Sequence, residues 1–147
     1  MELLLGSQVR SSGRRIGYLA GVEVDAAARR VTKIVFSPDG KLGSHAHTQS
    51  PDSVRVERGT LVLADSAGAS QREAATEPIL LSRSVRIVRQ GKPAGHVSGI
   101  VVGDAGVLEA AVGRQHWWSG RYRVAAADLD LSHPGEIRAR GIASRAA

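Results

Sequence analysis

Cysteine is absent from the 147 residues, so no disulfide framework and no thiolate metal site can form. Aromatic residues are scarce at 3% of the chain, which leaves any core to aliphatic side chains. No apolar run approaches the length that spans a bilayer, and the start, Met1-Glu2-Leu3-Leu4-Leu5-Gly6, is too short and too acidic for a secretion signal. A soluble cytoplasmic protein is the expectation from these absences. Phosphate-binding glycine loops and the Gly-x-Ser-x-Gly elbow are missing too. The order of Ser, His and Asp specifies no triad. Carboxylates such as Glu23, Asp25 and Asp104 fall at turns or outward strand positions, where capping and solvated roles prevail. No enzyme and no cofactor is therefore expected.

What is present is a duplication. Val9-Arg10 answers to Val85-Arg86, Gly13 to Gly91, Gly17 to Gly95, Leu19 to Val97 and Gly21 to Gly99, with Val22-Glu23-Val24 answering to Ile100-Val101-Val102. Val31 through Phe36 then parallels Val107 through Val112, Val54 and Val56 parallel Leu129 and Leu131, and Gly59-Thr60-Leu61 parallels Gly135-Glu136-Ile137. Each copy is about 60 residues, a size at which an isolated core is marginal, so the copies are expected to shelter one another. The pattern divides the chain into a first repeat at 1–66, a linker at 67–78, a second repeat at 79–142 and a tail at 143–147.

Within a copy the signals are those of strands. Gly13–Asp25 and Arg30–Ser37 are rich in Val, Ile and Leu and read as a long hairpin closed by Ser37-Pro38-Asp39-Gly40. The step from Leu19 to Val22 is three rather than two, which breaks the alternation and places a β-bulge at Ala20-Gly21 and its counterpart at Ser98-Gly99. Shorter strands are predicted at Val54–Glu57, Thr60–Ala64, Asp128–Leu131 and Glu136–Arg140, and Gln71–Thr76 could form one helical turn in the linker. The fold class is all-β.

The strings Gly6-Ser7-Gln8-Val9, Gly13-Arg14-Arg15-Ile16-Gly17-Tyr18-Leu19, Gly21-Val22-Glu23-Val24-Asp25, Arg30-Val31 and Pro51-Asp52-Ser53-Val54 resemble the PRC-barrel family. The second copy resembles a divergent version, with Gly103 in place of Asp25. The resemblance implies two small, highly bent antiparallel β-barrels packed as a pseudo-twofold tandem, in which Gly17, Gly21, Gly95 and Gly99 define the bends. Relatives of this kind are scaffolding and docking modules, seen in the cytoplasmic part of the photosynthetic reaction-centre H subunit and in a ribosome-maturation factor. No catalytic residue carries over.

The net charge of +6 comes from 17 Arg and 3 Lys against 14 acids, scattered without any block of five bases. That balance permits an acidic protein surface or nucleic acid as partner. The stretch His116-Trp117-Trp118-Ser119-Gly120-Arg121-Tyr122-Arg123 holds both tryptophans. Alternation predicts that at least one of Trp117 and Trp118 is buried; the rest of the stretch, with Arg121, Tyr122 and Arg123, is the candidate partner-binding surface. Three functions follow as expectations: a non-catalytic protein-interaction or scaffold module, an RNA- or ribosome-associated factor using the basic and aromatic patch, and a small-ligand or metal sensor. For the last, His45 and His47 would lie on one face of an extended strand, but two further ligands have to come from folding. Partner identity, repeat orientation and homo-oligomerisation through a strand edge stay open at the level of sequence.

Overall fold

The computed structural model describes residues 1–43, 45–64, 78–116, 118–133 and 135–140, with the backbone of Ser144–Arg145. The predicted helical turn at Gln71–Thr76, Trp117 and most of the tail lie outside the described residues.

Strands account for nearly all regular structure. The first copy contributes β1 (Glu2–Leu4), β2 (Gln8–Ser11), β3 (Arg14–Asp25), β4 (Arg30–Ser37), β5 (His47–Gln49), β6 (Val54–Glu57) and β7 (Thr60–Leu63). The second contributes β8 (Pro78–Ser82), β9 (Arg86–Arg89), β10 (Lys92–Val102), β11 (Leu108–Arg114), β12 (Arg121–Ala125), β13 (Leu129–Asp130), β14 (Glu136–Ala139) and β15 (Ser144–Arg145). They form two sheets of matching order, β5-β4-β3-β2-β7-β6 and β12-β11-β10-β9-β14-β13, with β15 added outside β12. No helix among the described residues is long and apolar enough to cross a membrane, a statement that says nothing of spanning by strands.

Each sheet also holds a strand from the other copy. β1 pairs with β10, Glu2 opposite Val101 and Leu4 opposite Gly99, while β8 pairs with β3, Leu80 opposite Glu23 and Ser82 opposite Gly21. The exchange is reciprocal, because Leu4/Ser82 and Gly99/Gly21 are related by the same offset that relates the repeats. Further bonds sew the first crossing: the Val102 amide donates to the Met1 carbonyl at 2.8 Å and the Leu5 amide to the Ser98 carbonyl at 2.9 Å. One apolar cluster then runs through both copies, from Leu3, Val9, Val22 and Ile34 to Leu81, Ile87, Ile100 and Ile137. Neither copy could close such a core with its own strands alone.

The predicted bulges are where the central strands change partner. β3 pairs with β2 up to Tyr18 and with β8 from Gly21, and the register against β4 slips between Leu19 and Gly21; β10 slips likewise between Val97 and Gly99. Glycine is needed there because a Cβ at Gly21 or Gly99 would press on the carbonyl of Leu81 or Leu3 in the exchanged strand. Gly17 and Gly95 face a different obstacle, the carbonyls of Ser37 and Arg114, which a Cβ would meet well inside 3.0 Å. At the far end of the first hairpin, the Asp25 carboxylate accepts from the amides of Ala27 at 3.0 Å and Ala28 at 3.4 Å and so fixes the turn into β4.

Three expectations are corrected. The sheets are not purely antiparallel: β7 runs parallel to β2, and β14 parallel to β9. The cause is the 3₁₀ turns at Pro51–Ser53 and Ala126–Asp128, which carry the chain sideways into β6 and β13 without reversing it. The ladders are also open among the described residues, since β5 and β6, the end strands of the first sheet, do not pair with each other. Finally, the ladder matches Val9 with Ile87 rather than Val85, and Val31 with Leu108 rather than Val107. Ile87 and Leu108 are buried in the core, whereas Val107 is 42% exposed.

Candidate functional site

Register alone assembles the most distinctive surface of the molecule. On the second sheet Arg121 stands opposite Arg114, Arg114 opposite His96, His96 opposite Arg86, and Arg86 opposite Glu136. Their strand neighbours Tyr122, Gly113, Val97, Ile87 and Ile137 turn toward the core, so alternation directs the row outward. Four strand spacings of about 4.8 Å put four cationic or titratable side chains and one acid in a line roughly 19 Å long. The equivalent row of the first sheet reads Ser37, Tyr18, Gln8 and Thr60, with no charged residue in the row itself; Ser37 is buried there, and the nearby Arg15 guanidinium lies 5.5 Å from the Tyr18 ring centre. The two copies share a backbone plan and diverge in charge on this outward row.

The candidate residues of the aromatic stretch separate into different roles. Trp118 is 68% exposed and its ring stacks on that of His116, centroids 4.5 Å apart and planes 3° from parallel. Of the two tryptophans, the expected burial can therefore apply only to Trp117, which is not described. The Ser119 hydroxyl holds this corner by accepting from the His116 amide and donating to the His116 carbonyl, and Arg114 Nε donates to the Ser119 carbonyl at 2.9 Å. Arg121 is exposed on β12 and reaches the Ser98 hydroxyl at 3.4 Å.

Tyr122 and Arg123 are held by the fold. The Tyr122 ring is half-buried against Ile87 and Gly113, its hydroxyl donates to the Ala94 carbonyl, and Arg89 lies 5.8 Å from the ring centre. Burial pushes the Tyr122 hydroxyl above its ordinary range, against the opposing pull of Arg89. Arg123 makes an ion pair at 2.5 Å with Glu2 of the exchanged β1. Trp118, on its His116 stack, and Arg121, beside Ser98, are the members of the predicted set that face solvent.

The histidine pair does not form the expected strand face. His45 lies in a turn ahead of β5, and His47 begins the strand with its ring 5.6 Å from that of Phe36. Among the described residues no three His, Asp or Glu side chains converge as a metal site would require.

Neither any protein-family model nor any curated protein matches the chain. Sequence reasoning missed the outward row because its members lie far apart in the chain: only the pairing register aligns Arg86, His96, Arg114 and Arg121.

Proposed function

We propose that the chain is a non-catalytic docking module, a tandem of PRC-barrel-like repeats welded by strand exchange, and that it binds an acidic protein surface through the outward face of its second sheet. The single observation that carries this is the divergence of the two rows, uncharged across Ser37, Tyr18 and Gln8 and basic across Arg114, His96 and Arg86. Exposed basic groups steer an acidic partner and set the register of the encounter. Trp118, exposed three residues before Arg121 in the chain, supplies the large desolvating contact on which interface affinity depends. The shared core keeps the platform rigid, so binding costs little ordering. A cytoplasmic setting fits the cysteine-free composition.

Site-specific photocrosslinking in cells tests this. A photoreactive residue replacing Arg121 should yield a discrete crosslinked protein, and one replacing Ala46, its counterpart beside the first sheet, should not. Equal products from both positions, or none from either, contradict the proposal, and a crosslink to RNA in place of protein would assign the face to nucleic acid instead.

A further inference from the structure

A cavity of about 910 Å³ opens beside the basic row, between the β9–β10 turn and β14, within the size range of small-molecule sites. Its lining gathers Arg86, Arg138 and Arg140 with His96 and His116, and two carboxylates, Asp130 and Glu136. Both acids are engaged. Asp130 accepts from the amide and hydroxyl of Ser132 and stands 3.4 Å from His133, and Glu136 is paired with Arg138 at 3.0 Å. Among the described residues the Arg86 guanidinium has no hydrogen-bonded or ion-paired partner, and that of Arg140 makes no direct bond but feels the attraction of the Asp130 carboxylate. An anion entering here finds the open fork of Arg86, the Arg140 guanidinium attracted to Asp130 but not bonded to it, and the Arg138 guanidinium already oriented by Glu136. The first copy is built differently: Gln8, Tyr18, Val62 and Ala64 occupy the positions of Arg86, His96, Arg138 and Arg140, and its own cavity there, about 640 Å³, is lined by Arg10 and Arg58 with Glu57 but by no aromatic ring.

The aromatic content of the same cavity narrows the ligand. His116 lines it and is backed by the parallel Trp118 ring. A planar heterocycle can extend a stack already two rings deep, while its donor groups reach carboxylate oxygens at the rim. Guanidinium forks bind phosphate in bidentate fashion, and aromatic side chains give bases a stacking platform that every base can use.

We infer that this cavity binds a nucleotide, its phosphate on Arg86 and Arg140 and its base on the His116–Trp118 stack. The site stands on the cavity itself and goes beyond the docked partner proposed above. The nucleotide comes either free or as one unit of a single-stranded nucleic acid, and the two sources share this chemistry.

Calorimetric titration of the full chain with AMP, adenosine, inorganic phosphate and a short oligoadenylate tests the assignment. AMP should bind saturably, and more tightly than adenosine or phosphate. The exposed pair Arg86→Gln/Arg140→Gln should weaken AMP by about tenfold or more. Trp118→Ala should weaken AMP by about threefold to tenfold and leave phosphate unchanged. Amide shifts in the unmodified protein should centre on Gly91, Gln115 and Arg140, a readout that needs no variant to fold. Oligoadenylate binding much tighter than AMP assigns the site to a strand, and equal binding assigns it to free nucleotide. No saturable AMP binding at millimolar concentration, adenosine or phosphate binding as well as AMP, or shifts centred on the first sheet would overturn the inference. Crosslinking from position 121 does not depend on that result, so the docking function and the nucleotide site can fail separately.

Discussion

Tyr122 lies directly across the ladder from Gly113, and its ring fills the space a side chain at 113 would need: a Cβ there would sit 2.5 Å from Tyr122 Cζ and 2.6 Å from Ile87 Cδ1. In the first copy the same two ladder positions hold Phe36 and His47, the larger apolar ring on the other strand. The two repeats fill one slot from opposite sides. Gly113→Ala should therefore destabilise by about 1–3 kcal/mol through overpacking. The same change in a Tyr122→Ala background should cost less, only the approach to Ile87 Cδ1 remaining, and a denaturant double-mutant cycle measures the difference.

Tyr122 also gives the fold an alkaline limit. Its hydroxyl is pushed up in the folded chain, so the folded protein holds the phenol neutral at a pH where the unfolded chain has begun to ionise. The contribution is complete below about pH 10 and is lost as pH rises through the folded value. Thermal stability should fall more steeply above that pH in the wild type than in Tyr122→Phe. The variant should lose about 1 kcal/mol at neutral pH with the bond to the Ala94 carbonyl. Identical alkaline slopes would remove this role from Tyr122.

Arg29, at the tip of the first hairpin, clasps the second copy by donating to the carbonyls of Ala126 and Leu129, the latter at 2.8 Å, while its own carbonyl accepts from the Leu108 amide at 2.9 Å. Arg29→Ala should cost about 1–3 kcal/mol, because partly buried carbonyls lose a charged donor. Chemical denaturation should still show a single transition. A loss below about 0.5 kcal/mol would mean that water replaces the clasp.

Much of this architecture is legible in the chain. The three-residue step from Leu19 to Val22 marks the bulge, the paired glycines mark its repeat, and β-rich segments delimit the long hairpins. Strand exchange is not legible, because Leu3 and Leu81 occupy equivalent buried slots and either aliphatic segment satisfies either sheet. The parallel pairs escape for a related reason: Pro51-Asp52-Ser53 announces a turn but not whether the chain reverses. At the candidate site, Tyr122 and Arg123 read as contact residues from composition alone. Gly113 opposite the first and Glu2 beside the second show them to be structural. The diffuse spread of arginines conceals a row, since Arg86 and Arg114 meet only through the register of β10 with both its neighbours.

Reciprocal exchange is the claim on which the platform rests, and the absence of native cysteine makes it directly measurable. Glu2 and Val101 face each other, as do Glu23 and Leu80; without exchange the partners would instead be Glu2 with Glu23 and Leu80 with Val101. Four double-cysteine variants, oxidised at low concentration and resolved by mass, distinguish these pairings. Rapid, complete intramolecular disulfides in Glu2→Cys/Val101→Cys and Glu23→Cys/Leu80→Cys, with little in the other two, are the predicted result. Disulfides forming instead in Glu2→Cys/Glu23→Cys and Leu80→Cys/Val101→Cys, or appearing only between chains, would contradict it.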